Sequence, residues 1–304
     1  MPVIEGGVVM PGAGQRIITE VIGAAALATG AVLAAVTDTA TDQTITTGIS
    51  FMDRPRRVTA TAGGTAADIK AVQVIVAGTD PLGNSISETM PAFTVNTAGS
   101  VTGVKVFARV TSITLPAHDG TGATTSISAA GQPAVADADG ILAAVQDTAT
   151  DQTITTGINQ PEVPRNITAT AAASTTNDVA AISVIIAGTN AEDAAISETL
   201  TAFTDNTPAT KAGAKAFKTV TSITIPAHDG TSATTSIGFG DVLGLNHRLA
   251  RKTVKSAYLA ETLEGTAPTV AVSATAIESN TVDLDTALNS TQVKVEFIPT
   301  SPGN

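Results

Sequence analysis

Cysteine and tryptophan are absent from this chain of 304 residues; tyrosine occurs once (Tyr258) and phenylalanine seven times. Without cysteine there is no disulfide, no thiolate nucleophile and no zinc finger. The shortage of tryptophan and tyrosine removes the stacking platforms that sugars favour. Charge is scarce too, at 14% of residues against roughly 25% in an ordinary globular domain. Basic residues are the scarcer sign, 16 against 27 acidic, for a net charge of −11. Such a surface repels phosphate backbones and argues against a dedicated nucleic-acid binder. Long apolar runs are missing as well. The most apolar stretch, Ile22 to Val36, has fifteen residues rich in Ala, Gly and Thr, short of the ~20 a spanning helix needs. Glu5 is the only charge in the first fifteen residues, so a basic signal-peptide n-region is lacking. These features predict neither a membrane span nor export by the general secretory route.

What is present is β-branched residues and a duplication. Val32 to Ile49 (VLAAVTDTATDQTITTGI) returns as Ile141 to Ile158, offset by 109, with 16 of 18 positions identical. Val110 to Ile127 (VTSITLPAHDGTGATTSI) returns as Val220 to Ile237, offset by 110, with the same score. Between them Val72 to Asp80 matches Ile182 to Asn190, and Ile86 to Thr94 matches Ile196 to Thr204. A period of this size is a whole domain, not a solenoid repeat or a propeller blade.

Within each copy, short β-branched runs around Ile45, Val58, Val74 to Val76, Val104 to Val106 and Ile113 are closed by Gly, Asn, Asp or Pro. Short strands with turn signals every eight to twelve residues are the pattern of a β-sandwich. The alternation from Lys105 to Val110 predicts a strand with Val106, Ala108 and Val110 on one face and Phe107 on the other. The expected fold is all-β: tandem Ig-like or Greek-key sandwiches over 31–139 and 140–240. A Gly-rich N-terminal arm (1–30) that packs on a neighbour precedes them. A small C-terminal β segment (241–304) follows, with a period-2 strand from Gln292 to Ile298.

Few residues offer chemistry. His118-Asp119-Gly120 and His228-Asp229-Gly230 occupy equivalent places, but consecutive side chains on a strand point apart, and Asp-Gly is turn chemistry. No Gly-x-Ser-x-Gly elbow accompanies them. Asp38 and Asp42, repeated as Asp147 and Asp151, and the Asp137-Ala138-Asp139-Gly140 run suggest calcium. They lack the further oxygen ligands and the bidentate Glu of a calcium loop, so Asx turns and caps are expected instead. Gly12-Ala13-Gly14 lacks the context of a phosphate cradle. Paired carboxylates for glycan hydrolysis would have to come from distant turns. The expectation is therefore no catalytic, metal or cofactor site. One charge concentration stands out: Arg248, Arg251, Lys252 and Lys255, beside His247. With no aromatic platform except Tyr258, it predicts a salt-bridged contact with an acidic partner such as another copy of the chain.

The run Val220-Thr221-Ser222-Ile223-Thr224-Ile225-Pro226-Ala227-His228-Asp229-Gly230-Thr231, followed by Gly238-Phe239-Gly240-Asp241-Val242-Leu243-Gly244-Leu245, resembles virion structural proteins of tailed bacteriophages. The paired ISET and AFT segments are similar too. The resemblance implies a non-enzymatic virion component and does not choose among capsid decoration, head-fibre and tail proteins; a capsid decoration (cement) protein on the outside of the head is the first expectation. A tail, neck or fibre component is the alternative. The implied partners are the major capsid protein and copies of the chain itself, with a trimer among the expected homo-oligomers and no nucleic acid or membrane. The absence of cysteine suits assembly in the reducing host cytoplasm. The first copy departs from the pattern, reading Ser128-Ala129-Ala130-Gly131 where the second has Gly238-Phe239-Gly240.

Overall fold

The computed structural model describes residues 17–118, 121–173, 178–228 and 232–300. After β1 (Ile18–Ile22), the first repeat consists of β2 (Leu33–Thr37), β3 (Gln43–Ile45), β4 (Arg56–Gly64), β5 (Ile75–Thr79), β6 (Ser85–Thr89), β7 (Gly99–Phe107), β8 (Arg109–Leu115) and β9 (Ala123–Ala129). They form two antiparallel sheets, ordered β2-β9-β4-β7 and β3-β8-β5-β6. Numbered within the repeat, the orders are 1-8-3-6 and 2-7-4-5. This is the double Greek key of a jelly roll, so of the two sandwich topologies expected, the Greek key is the one the chain adopts.

The second repeat repeats the plan with β10 (Asp137–Gln146), β11 (Gln152–Ile154), β12 (Arg165–Ala173), β13 (Ile185–Thr189), β14 (Ala195–Thr199), β15 (Ala209–Phe217), β16 (Thr219–Ile225) and β17 (Ala233–Gly244). Here β17 pairs with β12 along nearly its whole length, from Ala233 to Leu243, and runs on beyond β10, whose pairing stops at Phe239. Its end pairs with β21 (Thr281–Asp283), which in turn pairs with β20 (Thr269–Ala271). The departure at Gly238-Phe239-Gly240 thus lies in a strand that carries the second sandwich into the C-terminal segment. The corresponding β9 ends at Ala129.

The C-terminal segment adds β18 (Val254–Leu259), β19 (Thr262–Leu263) and β22 (Val293–Phe297), the last alternating buried and half-buried as its period-2 sequence requires. Strand β1 joins them, pairing Ile18 to Ile22 with Phe297 to Val293. This part of the expected arm therefore packs on its own chain; residues 1–16 lie outside the described residues. Glu20 fixes the contact. Its buried carboxylate accepts the Asn246 backbone and side-chain N–H groups, both at 2.8 Å, and lies 3.1 Å from His247 Nδ1.

One expectation fails. Lys105 to Val110 is not a single strand, because the chain crosses from one sheet to the other at Ala108, where β7 ends and β8 begins. The crossing turns Phe107 inward, and it is fully buried.

Three apolar cores result, one per sandwich and one under the C-terminal sheet. Six of the seven phenylalanines are spent in them: Phe93 and Phe107, then Phe203, Phe217 and Phe239, then Phe297. Each contributes about 1.5–3 kcal/mol by burial. Val, Ile, Leu and Met fill the rest, with volume-tolerant exchanges between copies such as Met90 for Leu200 and Val76 for Ile186.

Candidate functional site

The two histidines of the repeats are buried, and among the described residues each faces an aspartate far away in the chain. His118 Nε2 lies 3.6 Å from Asp38 Oδ2, and His228 Nε2 lies 3.4 Å from Asp147 Oδ2. In each copy a threonine hydroxyl, Thr125 or Thr235, donates to the same carboxylate oxygen at 2.9 or 3.0 Å. The other oxygen, Oδ1, is buried without a hydrogen-bond partner in both copies. Burial away from water pushes both carboxyls above the usual aspartate range, against the pull of the hydroxyl and the imidazole. The hydroxyl is bonded to the carboxylate and not to the imidazole, so this is no activated nucleophile. The arrangement ties together the strand entering the sandwich, the loop before its last strand and, through the N–H of Lys70 or Ala180 at His Nδ1, a third loop. Asp119, Gly120, Asp229 and Gly230 lie outside the described residues.

The acidic residues read for calcium are engaged by the fold. Asp42 Oδ1 accepts the Ala117 N–H at 2.9 Å, and Asp151 Oδ1 that of Ala227 at 3.0 Å. Asp137 Oδ1 accepts the Asp139 N–H at 3.2 Å. Among the described residues no group of three His, Asp or Glu side chains is arranged to hold a metal.

Sequence reasoning missed two buried arginines at matched positions. Arg56 Nη1 donates to Ala25 O at 2.8 Å and Ala130 O at 3.1 Å, and its other nitrogens chelate Asp53. Arg165 donates to Ala134 O at 2.9 Å and to Gly240 O from Nε at 2.8 Å. Ala25 corresponds to Ala134 and Ala130 to Gly240, so each guanidinium clasps the chain entering its sandwich to the chain leaving it. Burial lowers Arg165 to about 10. The signal was in the repeat, as Pro55-Arg56-Arg57-Val58-Thr59 against Pro164-Arg165-Asn166-Ile167-Thr168. The neighbouring Arg57 reaches across to Glu162 of the second repeat. Above that pair, a cleft of about 670 Å³ opens between the repeats and the C-terminal segment, lined by Pro55, Pro81, Leu82, Pro161, Pro164 and Asn246 among others.

Glu88 and Glu198, the glutamates of the repeated Ile-Ser-Glu-Thr, are staples between the sheets. Glu88 Oε1 accepts the Val104 N–H at 2.6 Å, and Glu198 Oε1 that of Ala214 at 2.7 Å. Burial raises the Glu88 carboxyl.

Of the predicted interaction residues, Arg248 is paired with Glu192, on the turn between β13 and β14 of the second repeat. Arg251 and Lys252, in the loop before β18, and Lys255, on it, are exposed and have no ion-pair or hydrogen-bond partner among the described residues.

The outer faces of the two shorter-stranded sheets share two identical rows, while in a third Arg109 and Ser85 stand where the second repeat has Thr219 and Ala195. Thr44, Thr114, Ile75 and Thr89 form one row across β3, β8, β5 and β6, with Ser112, Ala77 and Ser87 in the next. The second repeat shows Thr153, Thr224, Ile185 and Thr199, then Ser222, Ala187 and Ser197. These positions are exposed or half-buried and uncharged, and they are unchanged although the core behind them has varied.

No family model and no curated protein matches the chain. Among solved structures it is similar to one described as PBSX exported protein XepA, with 8% sequence identity and a TM-score of 0.21, over 73% of this chain and 86% of that one.

Proposed function

We propose that the chain is a non-enzymatic structural component of a tailed-phage virion, and within that class a decoration protein on the outside of the head. It would stabilise the lattice by contacting the major capsid protein and copies of itself. The observation that supports this reading is the duplicated sheet face. Two sandwiches in one chain present the same uncharged Thr, Ser, Ala and Ile side chains in the same register. A repeated lattice can use a repeated face, whereas the Thr125, Thr235, Glu88 and Glu198 side chains hold strands together within each copy.

The test is made on particles. Purified virions are separated into heads and tails, and the chain is counted against the major capsid protein. Hundreds of copies per head are expected; six or twelve at one vertex, or recovery with tails, would point to the tail, neck or fibre role instead. Heads lacking the protein should regain resistance to heat or chelator when it is added. No gain would sink the cement function.

A further inference from the structure

Arg251, Lys252 and Lys255 are three exposed cations with no counter-ion among the described residues, in a chain of net charge −11. Their neighbours are already taken: Arg248 by Glu192, Lys294 by Glu261, and Glu296 by the hydroxyls of Ser256 and Tyr258. A patch in this state calls for carboxylates from outside its own module.

The same chain carries carboxylates in the opposite condition. Asp137 sits on β10 opposite Phe239 of β17, with Asp139 hydrogen-bonded to it. Asp241 lies two residues further along β17, and Asp283 follows Val282, which pairs with Leu243. One guanidinium, the buried Arg165, reaches this group, 3.7 Å from Asp241 Oδ1, and its hydrogen bonds are given to backbone carbonyls. Asp139 is raised by its hydrogen bond and repulsion with Asp137, while burial and the charge of Asp241 raise Asp283. Adding cations there would relieve the repulsion, as adding carboxylates would neutralise the patch before β18.

We infer that copies of the chain associate head to tail, with Arg251, Lys252 and Lys255 of one copy against the Asp137, Asp139, Asp241 and Asp283 carboxylates of the next. This deepens the reading of the chain as an assembly subunit and rests on it. Because the two surfaces differ, the contact is heterologous, and it closes into a ring or continues as a filament according to the rotation it imposes. Exposed charges are screened by salt, so the association belongs to low ionic strength unless the capsid adds further contacts.

Sedimentation velocity on the full chain tests this without any virion. The unmodified protein is expected to associate at 20 mM salt and to dissociate at 500 mM. A cation-reversed variant (Arg251→Glu, Lys252→Glu, Lys255→Glu) and an acid-altered variant (Asp137→Asn, Asp139→Lys) should each stay monomeric alone. Mixed in equal amounts, they should pair and stop at a heterodimer, the intact cations of the acid-altered variant meeting the intact carboxylates of the cation-reversed one. Circular dichroism and the unfolding midpoint establish that each variant is folded, and Asp139→Lys alone replaces the double change if Asp137→Asn disturbs the fold. The inference is overturned if the unmodified chain is monomeric at low salt, if the variants self-associate like it, or if the mixture stays monomeric. It is also overturned if the cations instead prove to bind a short DNA duplex with the same salt dependence while self-association is untouched. Self-association without incorporation into heads would leave this contact standing and sink the decoration role.

Discussion

His118 closes on Asp38 across 80 residues of chain, Nε2 to Oδ2 at 3.6 Å, and the same contact recurs between His228 and Asp147 at 3.4 Å. All four side chains are buried. Buried charge is costly unless paired, so retention of the pair in both sandwiches marks it as the fastening of one end of the fold.

Replacing either histidine by alanine should strand a buried carboxylate and leave a cavity. A loss of about 3–5 kcal/mol per site is expected, the range for breaking a buried pair, read as a fall in the urea midpoint. Each site lies in its own sandwich with no shared partner, so the two losses should add. A loss under 1 kcal/mol would show that the pair does not fasten this end of the fold.

The pH dependence follows from Asp38 and Asp147. Both are raised above the ordinary value by burial, so their contribution to stability is fully present below pH 3.8 and is lost as pH rises through the folded value. Asparagine at both positions removes this term. The double variant should therefore gain on the unmodified chain between pH 4 and pH 7, whatever its offset. Chemical denaturation at the two pH values measures the gain; a constant difference would refute it.

The buried arginines should differ in cost. Arg165→Met leaves the Ala134 and Gly240 carbonyls without their donor, at about 1–3 kcal/mol for each. Arg56→Met also frees two carbonyls, but its Asp53 partner is 44% exposed and can turn to water. Arg56 Nη1 is moreover shared between its two acceptors. The larger fall in unfolding midpoint is expected for Arg165→Met.

These contrasts bear on what the sequence could reveal. The duplication, the β class and the strand at Val293 to Phe297 were legible because they rest on local periodicity and on self-comparison. The sheet order was not, since β3 and β11 are three residues each and their partners lie 70 residues away. His118 was read as a turn residue beside Asp119, and Asp38 as a calcium candidate. Neither local context contains the other residue, although both recur at fixed spacing in the second copy. Arg56 and Arg165 escaped for the opposite reason. An arginine after proline looks like surface, and only the three-dimensional convergence of Ala25 and Ala130 makes Arg56 an interior residue.

If the duplicated face contacts the capsid, a lysine on it should interfere without unfolding the chain. Thr114→Lys and Thr224→Lys place a cation on equivalent half-buried rows. Each should change stability by no more than about 0.5 kcal/mol and lower occupancy on heads. The two together should lower it further. Equal occupancy of the double variant and the unmodified protein would exclude this face as the contact.

The Glu88 staple gives a test by double mutation. A methyl group at Gly103 would lie 2.3 Å from Glu88 Oε2, so Gly103→Ala must push the carboxylate off the Val104 and Lys105 N–H groups. Glu88→Ala removes the same bonds directly, at about 1–3 kcal/mol for the stranded donors. The two losses share one cause and should not add. In a Glu88→Ala background the added methyl meets no carboxylate, and its restriction of the unfolded chain should make it neutral or stabilising by about 0.4–1 kcal/mol. The second copy should show less relief. At Gly213 the methyl would meet Leu200 Cδ2 at 3.0 Å as well as Glu198 Oε2 at 2.4 Å, and removing the glutamate leaves that contact in place. Additive losses at Gly103 and Glu88, measured by urea unfolding, would show that the glycine is required for a reason other than the staple.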